Sequence, residues 1–118
     1  MSVICAGVLY IRTDTGDDSV LRQVVIQTVN FDTCRNLDDT YQKNIKPGML
    51  CAGTVAGGKG SCGGDSGGPL VCKQGDRWFQ YGIVNYRLDS LCANPNRPTV
   101  YADVVYYQPW IRENSGGL

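Results

Sequence analysis

One serine in the sequence stands out as a candidate nucleophile. Ser66 lies in the stretch KGSCGGDSGGPLVC, residues 59–72, whose glycines allow the backbone to turn tightly. A serine hydroxyl is a poor nucleophile near neutral pH and needs an adjacent base to take its proton. Histidine is the commonest such base, but none of the 118 residues is a histidine. The sequence therefore contains a candidate nucleophile without its usual base.

Two other motifs overlap this stretch, but the residues that follow each one rule out its usual function. Residues 64–68 fit the pattern G-x-S-x-G, which forms the nucleophile elbow of α/β-hydrolases when a helix and a later histidine follow. Here residues 69–72 read PLVC, which predicts a strand instead. Residues 53–60, GTVAGGKG, nearly match a phosphate-binding P-loop, but Gly60 stands where a hydroxyl residue would hold magnesium. A surface loop is the better interpretation of that segment.

The composition excludes several classes of partner. The sequence carries eleven basic and eleven acidic side chains, so its formal net charge is zero. Such a chain has no basic field that would attract nucleic acid or an anionic membrane surface, and we expect neither partner. The hydrophobic content of 42% is typical of a single globular domain.

The number of cysteines indicates a disulfide-bonded protein. The six are Cys5, Cys34, Cys51, Cys62, Cys72 and Cys92. No two of them form a C-x-x-C pair, so we expect neither a metal site nor a cofactor. An even number at wide spacing is typical of proteins from an oxidising compartment, although spacing alone does not select the pairing.

The N-terminal segment does not have the features of an export signal. MSVICAGVLYI has no basic residue before Arg12 and no small-residue cleavage site. Its apolar run is also shorter than a membrane-spanning helix requires. We expect a strand here. The cysteines therefore favour secretion, whereas the N-terminal segment does not provide a signal peptide.

Short apolar runs separated by turn-forming residues predict an all-β fold. Runs rich in β-branched residues predict six strands, at 3–12, 20–31, 49–53, 69–73, 78–87 and 99–105. Their number and spacing are typical of a small barrel or sandwich. Asp32 is the candidate N-cap of a short turn through DTCRNLDDTY, and YYQPWIREN is a candidate C-terminal helix.

The block GDSGGPLVC, residues 64–72, resembles the nucleophile loop of the chymotrypsin-like (trypsin-fold) serine peptidases. The segments MLCAG, GIV, RPTVYADV and PWI occur in that family's order, so the resemblance covers nearly the whole sequence. It implies a six-stranded antiparallel Greek-key barrel with a short C-terminal helix, the second barrel of a two-barrel fold. Residues 1–118 would then form the C-terminal barrel, with the N-terminal barrel absent.

The resemblance implies a role for each residue of the loop. Ser66 would be the nucleophile, and the backbone N–H groups of Gly64 and Ser66 would form the oxyanion hole. In this family the carboxylate at the position of Asp65 pairs with an α-amino group released at the start of the first barrel. Asp65 lacks that partner here, so we expect a poorly formed, zymogen-like oxyanion hole.

The resemblance also implies a substrate pocket. Its residues would be Gly60, Ser61, Gly63, Asn85, Tyr86, Arg87 and Thr99. Gly60 replaces the aspartate with which trypsins hold lysine or arginine, and Thr99 is closer to elastase-like members. Two kinds of pocket remain open. The pocket is either shallow and suited to small side chains, or it is blocked or acid-preferring because of Arg87. Alternatively, Arg87 simply points to solvent.

The implied disulfides use every cysteine and indicate an extracellular or secreted parent protein. They pair Cys34 with Cys51, Cys62 with Cys92 and Cys5 with Cys72. The implied function is that of a serine endopeptidase acting on polypeptides. Because the family's base and its orienting aspartate belong to the missing N-terminal barrel, we expect this chain to be inactive, or nearly so, by itself. The alternative is a non-catalytic homologue that acts as a binding module.

Overall fold

The structure, a computed structural model, describes residues 4–9, 22–53, 66–86 and 97–117. Within these residues the chain forms strands and three short helices. The strands are β1 (Ile4–Leu9), β2 (Arg22–Val29), β3 (Met49–Gly53), β4 (Pro69–Gln74), β5 (Arg77–Tyr86) and β6 (Thr99–Asp103). The helices are α1 (Phe31–Arg35), α2 (Asp39–Asn44) and α3 (Gln108–Asn114). The predicted strand at 49–53 has the bounds of β3, and the other strands differ from the predicted ones at their ends.

The strands form one antiparallel system. Their hydrogen-bonded order is β1-β2-β3-β6-β5-β4, and β4 pairs again with β1, which closes a barrel. Every pairing between neighbours is antiparallel. The predicted fold class, a mostly antiparallel β fold with a short C-terminal helix, is confirmed.

Alternation along β3 and β6 divides the buried residues into two groups. Successive side chains of a strand point to opposite faces of the sheet, so neighbours in sequence pack in different clusters. The barrel cluster contains Ile26, Ala52, Leu70, Cys72, Val84 and Tyr101. The helix cluster contains Cys34, Tyr41, Ile45, Cys51 and Val100. The second cluster joins α1 and α2 to the outer face of the sheet.

Side-chain caps start the two helices between β2 and β3. The Asn30 Oδ1 atom accepts hydrogen bonds from the backbone N–H groups of Asp32, at 2.9 Å, and Thr33, at 3.4 Å. The prediction that Asp32 is the N-cap is therefore wrong, because Asn30 takes these N–H groups and places Asp32 inside the first turn. Asp38 caps α2 by accepting a hydrogen bond of 2.9 Å from the backbone N–H of Tyr41.

One disulfide fastens α1 to the sheet. Cys34 and Cys51 are bonded, with their Cα atoms 6.4 Å apart, which confirms this predicted pair. Cys72 is also disulfide-bonded, and its Cα atom lies opposite that of Cys5 in the β1–β4 ladder. Cys62 and Cys92 lie outside the described residues, so their predicted pairing stays a prediction.

The C-terminal helix follows β6 after a turn. Pro109 lies in the first turn of α3, where its missing N–H group costs no helical hydrogen bond. Gly116 and Gly117 follow the helix with φ angles of 79° and 106°, which side chains with a Cβ rarely adopt. The predicted tail helix therefore begins and ends where proline and glycine favour it.

Candidate active site

Ser66 lies in an exposed turn that leads directly into β4. Gly67 follows it with a φ angle of 85°, a left-handed conformation that a residue without a Cβ adopts at little cost. The Gly67 N–H group donates a hydrogen bond of 2.9 Å to the Val84 carbonyl, and the Val84 N–H group donates one of 2.9 Å to the Gly68 carbonyl. These two bonds fasten the turn to β5, so the Ser66 backbone is held against the sheet.

Close packing beneath the turn depends on Gly82 of β5. A Cβ atom at Gly82 would lie 3.1 Å from the Cβ of Tyr101 and 3.2 Å from the Cβ of Leu70. Both contacts are tighter than ordinary packing, and both neighbours are fully buried. Glycine therefore allows β4, β5 and β6 to approach one another directly under the turn that carries Ser66.

The structure describes only some of the residues that are predicted to surround Ser66. Among the described residues, no side chain hydrogen-bonds to the Ser66 hydroxyl. Gly64 and Asp65 lie outside the described residues, so the predicted oxyanion hole and the expected lack of a partner for Asp65 stay predictions. Gly60, Ser61, Gly63 and Arg87 also lie outside them.

Three predicted pocket residues are described, and β5 and β6 bring them together. Tyr86 pairs with Val100, the residue next to Thr99, and an irregularity in the β5–β6 register falls between Val84 and Tyr86. Asn85 lies in that irregularity and is exposed, whereas Thr99 is only 5% exposed. The strand pairing therefore places Tyr86 and Thr99 at neighbouring positions.

The Tyr86 hydroxyl lies between the end of α2 and the start of β3. It donates a hydrogen bond of 3.2 Å to the carbonyl of Asn44 and lies 3.5 Å from the Met49 Sδ atom. Its ring packs against the helix cluster. Burial raises the pKa of the Tyr86 hydroxyl above its ordinary value, because the phenolate form would be poorly solvated there. Tyr86 is therefore neutral near physiological pH, and its role as the aromatic wall of the pocket stays a prediction.

A group of residues without a predicted role supports the start of β6. Tyr41 is fully buried, and its hydroxyl donates a hydrogen bond of 2.9 Å to the carbonyl of Pro98, the residue before Thr99. The Arg97 guanidinium lies over the Tyr41 ring, with its central carbon 5.5 Å from the ring centre. Arg97 also forms an ion pair with Asp38. Sequence reasoning missed this group because Asp38 and Tyr41 are far from Arg97 in sequence.

The charge of Asp38 is favoured by its surroundings. The backbone N–H group of Tyr41 and then the Arg97 side chain hold the pKa of the Asp38 carboxyl below its ordinary value of 3.8. Asp38 therefore acts both as the cap of α2 and as the anion that pairs with Arg97 at the entry to β6.

Sites of other kinds are not found in the part of the chain that the structure describes. Histidine, cysteine, aspartate and glutamate do not gather there in any group of three that would hold a metal ion. Nor is any helix among those residues both long enough and apolar enough to cross a membrane.

Comparisons with known proteins find relatives that match most of this sequence. Human testisin is 37% identical over 108 residues, which cover 88% of this chain and 34% of testisin. Human transmembrane protease serine 11A is 38% identical over 111 residues, covering 93% of this chain and 25% of that protein. Mouse transmembrane protease serine 11C is 37% identical over 115 residues, covering 97% of this chain and 26% of that protein.

The chain thus spans about a quarter to a third of the length of these relatives. The family model described as Trypsin matches residues 2–111, nearly the whole sequence. With the nucleophile motif, the antiparallel barrel and these relatives in agreement, the chain belongs to the trypsin family, the chymotrypsin-like serine peptidases.

Proposed function

We propose that this chain carries the nucleophile-bearing half of the active site of a serine endopeptidase. The observation that carries the proposal is the exposed Ser66 turn, fastened to β5 by two backbone hydrogen bonds, in a member of the trypsin family. The relatives named as proteases support a polypeptide substrate. In this proposal residues 1–118 are the C-terminal barrel of a two-barrel domain.

The proposed reaction is acyl transfer. The Ser66 Oγ atom attacks the carbonyl carbon of a peptide bond while a base takes the hydroxyl proton, and the C–N bond then breaks as that proton passes to the leaving amine. Water attacks the resulting ester in the same way and restores the hydroxyl. The N–H groups of Gly64 and Ser66 would stabilise the oxyanion in both steps.

The base that takes the Ser66 proton has to lie outside these 118 residues if it is a histidine. Since the sequence contains no histidine, a histidine base would belong to a preceding barrel or to a separate chain. Enzymes of this kind lose several orders of magnitude in rate when the base is removed, because the remaining catalysis rests on the oxyanion hole and binding alone. The chain by itself is therefore inactive or nearly so.

The pocket favours a substrate unlike that of trypsin. Gly60 contributes no carboxylate to hold a cationic side chain, and the buried Thr99 carries a side chain at a position where glycine is usual in the family. An elastase-like preference for small side chains follows, with an acid-preferring or blocked pocket as the outcome if Arg87 enters it. The disulfide chemistry supports an extracellular or secreted protein.

Labelling with a fluorophosphonate tests the division of the active site. The 118-residue chain is treated with the reagent, and adducts at Ser66 and at the exposed Ser115 are quantified by peptide mapping. Without the base, Ser66 should react no faster than Ser115, which serves as the exposed reference serine. Rapid labelling of Ser66 that disappears in Ser66→Ala would show that the chain is active alone.

The transcript that encodes the chain tests the nucleophile role. We expect coding sequence upstream of Met1 for a signal peptide, an activation site and a barrel with a histidine. The folded product of that longer transcript should label at Ser66, and Ser66→Ala should abolish the label. A stop codon immediately upstream, or a longer product that does not label, would favour the non-catalytic binding module instead.

A further inference from the structure

A surface cleft of about 320 Å³ lies between the start of α1, the turn before β3 and the segment that follows β6. Its lining includes Val29, Phe31, Pro47, Met49, Asp103 and Tyr106. The walls are mostly apolar, and Asp103 is the one acidic residue among the lining residues. At the small end of ligand-binding pockets, which start at about 300 Å³, this volume suits one side chain or a small molecule.

The two oxygens of Asp103 are in different situations. Oδ1 accepts hydrogen bonds from the backbone N–H groups of Val105, at 3.1 Å, and Tyr106, at 3.3 Å. Oδ2 has no hydrogen-bond partner among the described residues, where the only ion pair is that of Arg97 with Asp38. Half of this carboxylate is therefore available to a cation from outside.

The cleft lies away from the candidate active site. β6 begins at Thr99, the predicted pocket wall, and ends at Asp103. At about 3.3 Å per residue, the two ends of this strand are about 13 Å apart. A group bound at Asp103 is therefore not the side chain that occupies the substrate pocket.

We propose that this cleft binds a lysine side chain of a polypeptide partner. The hydrocarbon stem would lie on Phe31 and Met49, and the ammonium group would pair with Asp103 Oδ2. An ammonium fits better than a guanidinium because the bidentate pairing typical of arginine uses both carboxylate oxygens, whereas a point charge uses one. Val105 is 58% exposed and Tyr106 is 55% exposed, so the rim offers apolar surface to the residues that flank the lysine.

A titration followed by NMR tests the chemistry of the ligand. Nα-acetyl-lysine amide is added to the 118-residue chain, and the backbone N–H signals of Val105 and Tyr106 report on Asp103. Saturable shifts should give a Kd on the order of 1 mM or weaker. Nα-acetyl-norleucine amide has the same stem without the ammonium group and should bind about tenfold more weakly or worse.

Two matched variants test the residue. Asp103→Asn keeps an oxygen that accepts from Val105 and Tyr106, so the turn should be retained while the charge is lost. Asp76→Asn removes the same charge from the exposed β4–β5 turn. The lysine probe should bind Asp103→Asn about tenfold more weakly and Asp76→Asn as it binds the unaltered chain.

Three results would overturn the proposal: no saturable shift with the lysine probe, equal affinity for the norleucine probe, or equal affinity in Asp103→Asn. An arginine probe that binds more tightly than the lysine probe would contradict the assignment of the partner side chain. Ser66→Ala should leave the binding unchanged, because the cleft takes no part in the proposed reaction. The outcome of the binding test is therefore independent of the serine endopeptidase proposal.

Discussion

The barrel cluster and the helix cluster share two strands, β3 and β6, but are held together differently. Neighbouring residues of β3 and of β6 point into one cluster and then the other. The barrel cluster contains the disulfide-bonded Cys72 and packs its strands closely around a glycine, Gly82, where a Cβ atom would make contacts tighter than ordinary packing. The helix cluster is closed by a disulfide, a buried tyrosine hydroxyl and, at its edge, an ion pair.

Each cluster supports a different part of the candidate active site. Val84 of the barrel cluster exchanges backbone hydrogen bonds with the turn that carries Ser66. Tyr41 of the helix cluster holds Pro98, which precedes the predicted pocket residue Thr99. The comparison indicates that the position of the Ser66 turn depends on close packing between strands, whereas the position of Thr99 depends on a hydrogen bond and an ion pair that individual substitutions can remove.

Removing the disulfide is the strongest way to separate the two clusters. Cys34 and Cys51 are 17 residues apart, and closing a loop of this size stabilises a protein by about 3 kcal/mol in the chain-entropy model. We expect the double variant Cys34→Ala/Cys51→Ala to lose about that much free energy of unfolding, measured by urea titration. NMR signals of α1 and α2 should change more than those of the Ser66 turn. Equal disturbance of both would mean that the clusters are not independent.

A methyl group at Gly82 tests the barrel cluster. The contacts at 3.1 Å and 3.2 Å involve Cβ atoms of Tyr101 and Leu70, which cannot move without moving the strands. Overpacking of this kind costs about 1–3 kcal/mol, so Gly82→Ala should lower the free energy of unfolding by about 2 kcal/mol.

The control for Gly82→Ala is Ile83→Ala at the next position of β5, where the side chain is partly exposed and points to the other face. Only Gly82→Ala should shift the NMR signals of Gly67 and Gly68, because only its strain reaches Val84 and the turn. A Gly82→Ala variant as stable as the unaltered chain would show that the strands separate easily and that exact packing does not define this cluster.

Local patterns of the sequence predicted the strands and the turn that carries Ser66, whereas they did not predict the polar contacts of the helix cluster. The strand at 49–53 was predictable because a short apolar run lies between a proline-glycine turn and a glycine-rich segment. Ser66 was recognisable from its motif, and the turn around it follows from its glycines. Local sequence patterns are enough to predict a strand or turn whose conformation is determined by residues close together in the sequence.

The remaining features depend on contacts that sequence spacing does not reveal. Tyr41 and Pro98 are 57 residues apart, so no window of the sequence indicates their hydrogen bond. Asn30 and Asp32 are both competent N-caps, and the path of the chain after β2 selects Asn30. The cleft at Asp103 likewise combines the segment around β3 with the end of β6.

Removal of the Tyr41 hydroxyl tests whether the helix cluster depends on its hydrogen bond to the Pro98 carbonyl. Tyr41→Phe leaves the buried Pro98 carbonyl without its donor, and we expect a loss of about 1–2 kcal/mol in the free energy of unfolding. Tyr86→Phe removes a hydroxyl that donates to the more exposed Asn44 carbonyl, so it should cost less than about 0.5 kcal/mol. If both variants lose the same free energy, burial of the acceptor does not explain the role of Tyr41.

The Asp38–Arg97 ion pair is the weakest link of the helix cluster, and its pH dependence identifies it. The pKa of Asp38 is lower in the folded chain than its ordinary value of 3.8, so the folded state binds fewer protons there. Its stabilisation is complete well above pH 3.8 and is lost as the pH falls through the folded pKa. Because both side chains are partly exposed, Asp38→Asn should cost less than about 1 kcal/mol near pH 6.

Unfolding in urea at several pH values separates this charge effect from capping. The asparagine side chain of the Asp38→Asn variant would still accept the N–H group of Tyr41. The difference between the unaltered chain and this variant should therefore shrink as the pH falls below 3.8. Asp76→Asn, which changes a carboxylate outside both clusters, should not show this convergence. A constant difference for Asp38→Asn at every pH would assign its effect to the cap of α2, and the helix cluster would then rest on the disulfide and Tyr41 alone.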